Sequence, residues 1–346
     1  MGSARDAGSP DPAGLRSRRT TLGGLNVAGR KKKKTPRDAG RREPEGGSFP
    51  ALAPDEGEPG LVVAHHGVAV LVRFESGEAR QVWLQPEQRA VVGDRVRVAR
   101  NRLAVEPARG VLRRRDPRGR ERTIATNLDV LGIVVAPEPR EPPGYIDRGF
   151  VIARSAGIEP ILVMNKTDLD DGDELAARLI EIYAPSASVL CVCADRGEGL
   201  DLIFEALAGG RLGALVGPSG VGKSSLLNAL VPDLDLRVSE LNRGSGKGRH
   251  TTTTATLHAL ERGGFLVDTA GFKDFIAVDV VALEAAQAFP GFEEAIVEGC
   301  RFRDCVHKSE PDCGVLAGIE AGTISERRHR SYLQLLEELE SSDGRS

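Results

Sequence analysis

The 346-residue sequence predicts an α/β protein with a small β-barrel ahead of its main sheet and a helical metal-binding segment behind it. Three observations carry this prediction. From about residue 127, continuous apolar runs alternate with helical spacing, the pattern of buried parallel strands and their crossover helices. Ahead of them, short strands rich in β-branched residues are crowded between Gly-bearing turns. Behind them, three cysteines and a histidine fall between residues 300 and 313. A hydrophobic content of 40% and a charged content of 28% are ordinary for a soluble protein. No apolar run is long enough to span a bilayer and no signal-peptide core opens the chain, so a cytoplasmic protein without a membrane role is expected. In that compartment the five cysteines do not read as a disulfide framework.

In chain order, residues 1–58 are rich in Gly, Pro, Ser, Arg and Lys without an apolar period, and read as a basic disordered tail. Residues 59–115 follow as a barrel. Leu61–Ala64, Val68–Phe74, Ala79–Leu84 and Arg95–Ala99 are its strands, and their number and length suit an OB-fold. Charge is segregated. Residues 1–42 hold 12 Lys/Arg against 3 Asp/Glu, and residues 89–122 hold 12 Arg against 4 Asp/Glu, in a chain whose net charge is −3. Such patches point to a polyanion partner; the alternative is a solvated charge run on a structural barrel. With only Trp83 and Phe74 available for stacking, contact with a nucleic-acid backbone is expected over base reading.

Residues 122–280 carry strands at Asp129–Ala136, Pro160–Met164, Ser188–Cys193, Leu212–Gly217 and Gly264–Asp268, with helical spacing over Ile146–Ser155 and Glu174–Tyr183. That alternation is a doubly wound α/β domain. Residues 281–346 read as helical segments around the Cys/His cluster, closing with an amphipathic helix over Ser331–Leu339.

The chemistry lies in four nucleotide motifs and one Cys/His cluster. Gly217, Pro218, Ser219, Gly220, Val221, Gly222, Lys223 and Ser224 fit G-x-x-x-x-G-K-[ST], with Ser225 following, between a buried strand and a helix bearing Leu226, Leu227 and Leu230 on one face. This P-loop aims backbone N–H groups at phosphate oxygens, lets Lys223 reach the β- and γ-phosphates, and offers Ser224 to Mg²⁺. Asn165, Lys166, Thr167 and Asp168 form N-K-x-D after another buried strand. Asp168 can accept from guanine N1–H and its exocyclic amine, while adenine presents the opposite pattern, so GTP is selected over ATP. Asp268 and Gly271 of Asp-Thr-Ala-Gly end a third strand; Asp268 would hold Mg²⁺ through water and the Gly271 amide would sense the γ-phosphate. Between P-loop and Asp268 the Gly-rich run 244–254 has the place of a first switch, and its threonines, Thr251 among them, could ligate Mg²⁺. Phe272 stands after Gly271, where many GTPases place the water-orienting Gln. Phe can neither donate nor accept, so His250 is the best-placed catalytic residue, or alternatively a contact for a partner. Slow intrinsic turnover is expected. Cys300, Cys305, His307 and Cys313 supply three sulfurs and an imidazole, a closed set for one structural Zn²⁺.

The order is the peculiarity. Asn165 precedes Gly217 by 52 positions, whereas a GTPase ordinarily places N-K-x-D far downstream of its P-loop. This order, with the barrel before and the Cys-Cys-His-Cys knuckle after, closely resembles the circularly permuted, small-ribosomal-subunit-dependent GTPases (RsgA/YjeQ) over residues 60–335. The resemblance implies an OB-fold, a circularly permuted P-loop GTPase domain and a C-terminal helical zinc-binding domain. It implies binding of GTP/GDP with Mg²⁺ at Asn165–Asp168 and Gly217–Ser225, zinc at the four Cys/His ligands, and His250 as the catalytic position. It further implies binding of the small ribosomal subunit and its rRNA, hydrolysis stimulated by that subunit, and a role in its late maturation, as a monomer. Ala270 stands where the family more often has Pro. Val192-Cys193-Ala194 fills the last base-side turn with Cys for Ser, leaving its backbone contacts intact. Two other readings remain: a nucleotide-gated rRNA-binding factor whose hydrolysis is incidental, and a P-loop ATPase with a coincidental N-K-x-D.

Overall fold

The computed structural model describes residues 52, 56–100, 102–115, 120–231, 255–268 and 280–343. Nearly all of the basic tail, the run 244–254 with His250 and Thr251, and Gly271 with Phe272 lie outside the described residues.

Five strands make the barrel: β1 (Glu58–His65), β2 (Ala69–Phe74), β3 (Ala79–Trp83), β4 (Arg95–Ala99) and β5 (Arg102–Val105). They pair antiparallel in the order β3-β2-β1-β4-β5, and β3 approaches β5 to curl the sheet on itself. Strand β1 holds β4 along its first half (Glu58↔Val98 to Leu61↔Arg95) and β2 along its length, with a register shift between Val62 and Ala64 that bends it. Alternation puts Val62, Val70, Val72, Phe74, Val82, Val96 and Val98 inside. Strand β5 is not among the expected strands; only Leu103 of its four residues is buried, too little alternation to read. The Arg-rich stretch forms a separate hairpin, β6 (Leu112–Arg115) against β7 (Glu121–Ala125), with Arg114 opposite Arg122 and Arg115 opposite Glu121.

The main domain comprises β8 (Val130–Val135), α1 (Tyr145–Ser155), β9 (Glu159–Met164), α2 (Gly172–Tyr183), β10 (Val189–Cys191), α3 (Leu200–Ala206), β11 (Leu212–Val216), α4 (Lys223–Leu230), β12 (Thr256–Ala259) and β13 (Phe265–Asp268). Its strand order is β10-β9-β8-β11-β13-β12, parallel except that β12 runs antiparallel to β13. The fully buried strand β8 sorts its side chains by period two. Leu131, Ile133 and Val135 pack with Ile146, Phe150 and Leu175 of α1 and α2. Val130 and Val134 pack on the other face with Ile203 of α3 and Leu226, Leu227 and Leu230 of α4. This is the doubly wound sheet expected from the alternating runs.

Barrel and main sheet are continuous, since β1 pairs with β12 at Ala64↔Thr256. Asp94 pins the joint, accepting from Thr126 Oγ1 (2.6 Å) and from Val91 N–H (2.8 Å), while Asn127 Nδ2 donates to Gly93 O (2.9 Å). Gly93 has φ +91° and lies so close to the Thr126 carbonyl that a Cβ would overlap it.

The C-terminal unit contains α5 (Ala282–Ala288), α6 (Glu293–Gly299), α7 (Gly314–Glu320) and α8 (Glu326–Asp343). Helix α8 extends beyond the expected 331–339 at both ends. Phe289, Phe292 and Tyr332 meet at centroid distances of 4.8–5.2 Å in its core. Arg328 clamps it to the main domain by donating to Asp147 Oδ1 (2.6 Å), and braces the unit itself through Pro290 O (2.8 Å). Arg148 pairs with Glu338 and Arg154 with Glu293. No helix among the described residues is long and apolar enough to cross a membrane.

Candidate functional site

Parallel strands bring their carboxyl ends to one edge of the sheet, and the nucleotide motifs occupy those ends. The P-loop follows β11, Asn165–Asp168 follow β9, and Asp268 is the last residue of β13. Strand order reverses between β8 and β11, the kind of switch point at which open α/β sheets bind ligands. Sequence positions 52 apart thereby meet.

Asn165 makes the meeting concrete. It is 1% exposed, its Nδ2 donates to Val221 O inside the P-loop (2.9 Å), and its Oδ1 accepts from Ala194 N–H in the turn after β10 (3.1 Å). Gly222, at φ +95°, is where the P-loop passes this amide, and any Cβ there would overlap Asn165 Nδ2. Helix α4 begins at Lys223. The Lys223 ammonium folds back onto the loop, donating to Gly217 O (2.7 Å) and Pro218 O (2.8 Å). These are the carbonyls it would leave for phosphate oxygens. Ser219, Gly220, Ser224 and Ser225 are exposed at the mouth, and Gly217 and Val221 are buried beneath it.

On the base side, Lys166 sits at φ +61° and its Nζ donates to Glu138 O (2.9 Å), spanning the loop after β8. Thr167 donates from N–H and Oγ1 to Val192 O at 3.4 and 3.3 Å. Asp168 lies 3.3 Å from Cys193 Sγ and 3.9 Å from Arg196 Nη2. On the metal side, Thr256 of β12 stands opposite Asp268, and His258 lies two residues further along β12. Burial pushes the Asp268 carboxyl up, opposed by His258; burial likewise pushes His258 down, opposed by Asp268. A divalent cation at this carboxylate would reverse the first of these shifts.

Three of the four nucleotide segments thus come together on one edge of the sheet, while His250, Thr251 and Gly271 lie outside the described residues. By sequence, Cys193 is a neutral replacement for Ser. The side-chain contact to Asp168 and the Glu138 carbonyl beside Lys166 leave no mark in the sequence.

The second site is the Cys/His cluster. Cys300 follows α6, Cys313 precedes α7, and Cys305 and His307 sit in the connection between. His307 Nδ1 is 3.6, 3.3 and 3.4 Å from the sulfurs of Cys300, Cys305 and Cys313. All four donor atoms lie within 4.8 Å of one another. A tetrahedral zinc with Zn–S about 2.3 Å and Zn–N about 2.0–2.1 Å sets sulfur and nitrogen roughly 3.6 Å apart, so the donors fit that ion. Glu310 receives N–H groups from Val306 (2.9 Å) and Lys308 (2.7 Å), and Tyr332 donates to Val306 O (2.7 Å), fixing the ligand loop onto α8.

Comparison with known proteins gives a consistent result. The family model described as RsgA GTPase matches residues 105–277. The small ribosomal subunit biogenesis GTPase RsgA of Pseudomonas savastanoi pv. phaseolicola is 40% identical over 309 residues, covering 85% of this chain and 88% of that protein. Its namesake from Gemmatimonas aurantiaca is 41% identical over 259 residues, covering 72% and 84%. Among solved structures, YjeQ from Thermotoga maritima superposes with a TM-score of 0.66 at 31% identity, over 82% of this chain and 98% of that one. YloQ, described as a circularly permuted GTPase, matches at 0.64 and 22% identity over 83% and 96%, a likeness of fold.

Proposed function

The chain belongs to the RsgA GTPase family and is a GTP hydrolase, and from that premise we propose how its own residues serve the activity. The observation that carries the proposal is Asn165 bonded at once to the P-loop and to the base-side turn. One preformed edge of the sheet thus holds phosphates and base in fixed relation. The Gly217–Gly222 backbone and Lys223 receive the phosphates, with Lys223 exchanging two loop carbonyls for phosphate oxygens. Ser224 at the head of α4, Asp268 at the end of β13, and Thr251 would hold Mg²⁺, which would supply charge neutralisation at the phosphates. Asp168 reads guanine, Lys166 lies along its ring, and Gly271 senses the γ-phosphate. His250 orients the attacking water. GTP and water give GDP and phosphate.

The printed names of the relatives refer to small ribosomal subunit biogenesis. We extend this to the present chain: it acts in the cytoplasm as a monomer, on the small subunit and its rRNA late in maturation, and docking stimulates hydrolysis. Support comes from the 12 Arg against 4 Asp/Glu in residues 89–122, among them Arg95, Arg97 and Arg102 on the barrel strands and Arg113, Arg114, Arg115 and Arg122 on β6 and β7. Cys300, Cys305, His307 and Cys313 hold one structural Zn²⁺, whose binding contributes folding free energy to the C-terminal unit. The deciding experiment is single-turnover GTP hydrolysis with and without small subunits, for the wild type and His250→Ala. Stimulation in the wild type and its loss in the variant are expected. Absence of stimulation would leave an RNA-binding factor with incidental hydrolysis.

A further inference from the structure

The turn after β10 touches the base site with a side chain as well as with its backbone. Cys193 is 1% exposed, and its Sγ lies 3.3 Å from Asp168 Oδ1. The backbone that carries the thiol is held in place. Cys193 exchanges backbone hydrogen bonds with Glu198 (2.9 and 3.1 Å), its neighbour Ala194 is held by Asn165, and Val192 O receives Thr167. Burial first, and the Asp168 carboxylate with it, pushes the thiol up against the pull of backbone N–H groups at Arg196 and Asp195. At neutral pH it therefore carries its proton, and the carboxylate is the acceptor in reach.

Asp168 needs such a support. Guanine offers two adjacent donors, N1–H and the 2-amino group, and both oxygens of the carboxylate must lie in their plane. The terminal torsion of an aspartate is broad, so it does not hold that plane by itself. Arg196 approaches the other oxygen only to 3.9 Å, with its side chain 58% exposed, too far and too open to fix it.

We propose that Cys193 is a specificity-positioning residue, its thiol donating to Asp168 Oδ1 and setting the carboxylate plane that reads the two guanine donors. This rests on the guanine-nucleotide reading above. A hydrogen bond to a charged acceptor made by a weak donor corresponds to about a three- to tenfold loss when removed.

The test measures equilibrium affinity for GDP, IDP and ADP in the full-length protein and in Cys193→Ala, Cys193→Val and Cys193→Ser. IDP keeps N1–H and lacks the 2-amino group. Alanine and valine are expected to lower GDP affinity about three- to tenfold and to shrink the GDP-over-IDP ratio, with ADP unchanged. Serine, a hydroxyl donor, restores both. Since the ratio carries the result, a general loss of stability does not imitate it. A wild-type ratio in the alanine and valine variants overturns the proposal, and so does equal impairment by serine and alanine, which would assign the residue to packing. A wild type that binds ADP as well as GDP would instead refute the guanine reading and leave the thiol without a role.

Discussion

Asn165→Ala should damage nucleotide binding out of proportion to the atoms removed. The side chain makes two hydrogen bonds, to Val221 O at 2.9 Å and from Ala194 N–H at 3.1 Å. Each is worth about 1 kcal/mol net. What stays behind matters more: the buried Val221 carbonyl and the half-buried Ala194 amide both face the gap left by a side chain only 1% exposed. Orphaned buried groups cost about 1–3 kcal/mol each. Allowing for partial relaxation, a total of about 2–4 kcal/mol is expected, which corresponds to roughly 30- to 1000-fold in affinity if it falls wholly on the bound state. Asn165→Asp separates the two bonds. It keeps an acceptor for Ala194 but turns the donor at Val221 into a second acceptor, so it should bind no better than alanine. The assay is titration with a fluorescent GDP, alongside tripolyphosphate competition and a thermal melt of each variant. Because Val221 belongs to the P-loop, tripolyphosphate affinity should fall together with GDP affinity. Either variant binding GDP within about threefold of wild type, less than the loss of one net hydrogen bond, would refute the reasoning.

Three further outcomes can be checked on the same protein. Arg328→Met strands Asp147, whose side chain is 5% exposed, with Tyr183 OH at 2.9 Å as its remaining partner among these three. Breaking a buried pair from one side costs about 3–5 kcal/mol, read as a lowered melting temperature, and Asp147→Asn in that background should recover part of it. Cys305→Ser should reduce bound zinc, by elemental analysis, by close to one equivalent and destabilise the C-terminal unit to proteolysis; unchanged stoichiometry would remove Cys305 from the ligand set. Burial raises the Asp94 carboxyl above 3.8, against its bonds from Thr126 and Val91. The folded chain then holds that proton more tightly than the unfolded one. This contribution to stability is present at low pH and falls as pH rises from 3.8 through the raised value, and Asp94→Asn should flatten that slope in melts across acidic pH.

What is legible in the sequence follows from how tightly chemistry constrains residue type and spacing. Phosphate binding demands glycines at fixed offsets, base reading demands Asn and Asp after a buried strand, and a tetrahedral metal demands four soft donors. Gly217–Ser224, Asn165–Asp168 and Cys300–Cys313 can be read for that reason. Strands β5 and β12 bury only one residue of four each, leaving neither an apolar run nor an alternation to read. The Arg-rich stretch shows its charge but not its hairpin, because the arginines of β6 and β7 have no strand propensity to announce them. Contacts between distant segments are illegible altogether. Arg328 and Asp147 are 181 positions apart, and a single sequence carries no sign that they meet. Cys193 is a similar case, since the backbone role of its turn can be read and the direction of its thiol cannot.

The permuted order also decides what each flank of the GTPase can feel. Ala64 of the barrel pairs with Thr256, and Thr256 pairs with Asp268, so one line of backbone registers runs from β1 to the metal-side aspartate. Strand β12 begins two residues beyond Thr254, the last threonine of the run expected to form the first switch. The C-terminal unit is attached elsewhere. Arg328 of α8 reaches Asp147 of α1, while Arg148 and Arg154 of α1 reach Glu338, Glu293 and Ala288 O of the C-terminal unit, so the unit rests on α1 beside strand β9. Loss of the γ-phosphate releases groups near Asp268 and leaves the guanine contacts in place. The barrel should therefore change orientation between GDP and a non-hydrolysable GTP analogue, while the C-terminal unit stays fixed on α1. Encoded spin labels at Gln81, Glu181 and Gln334, all exposed, measure both distances in one protein. A shift confined to the Gln81–Glu181 pair is expected. Equal shifts in both pairs, or a shift only between Glu181 and Gln334, would show that the signal takes another path.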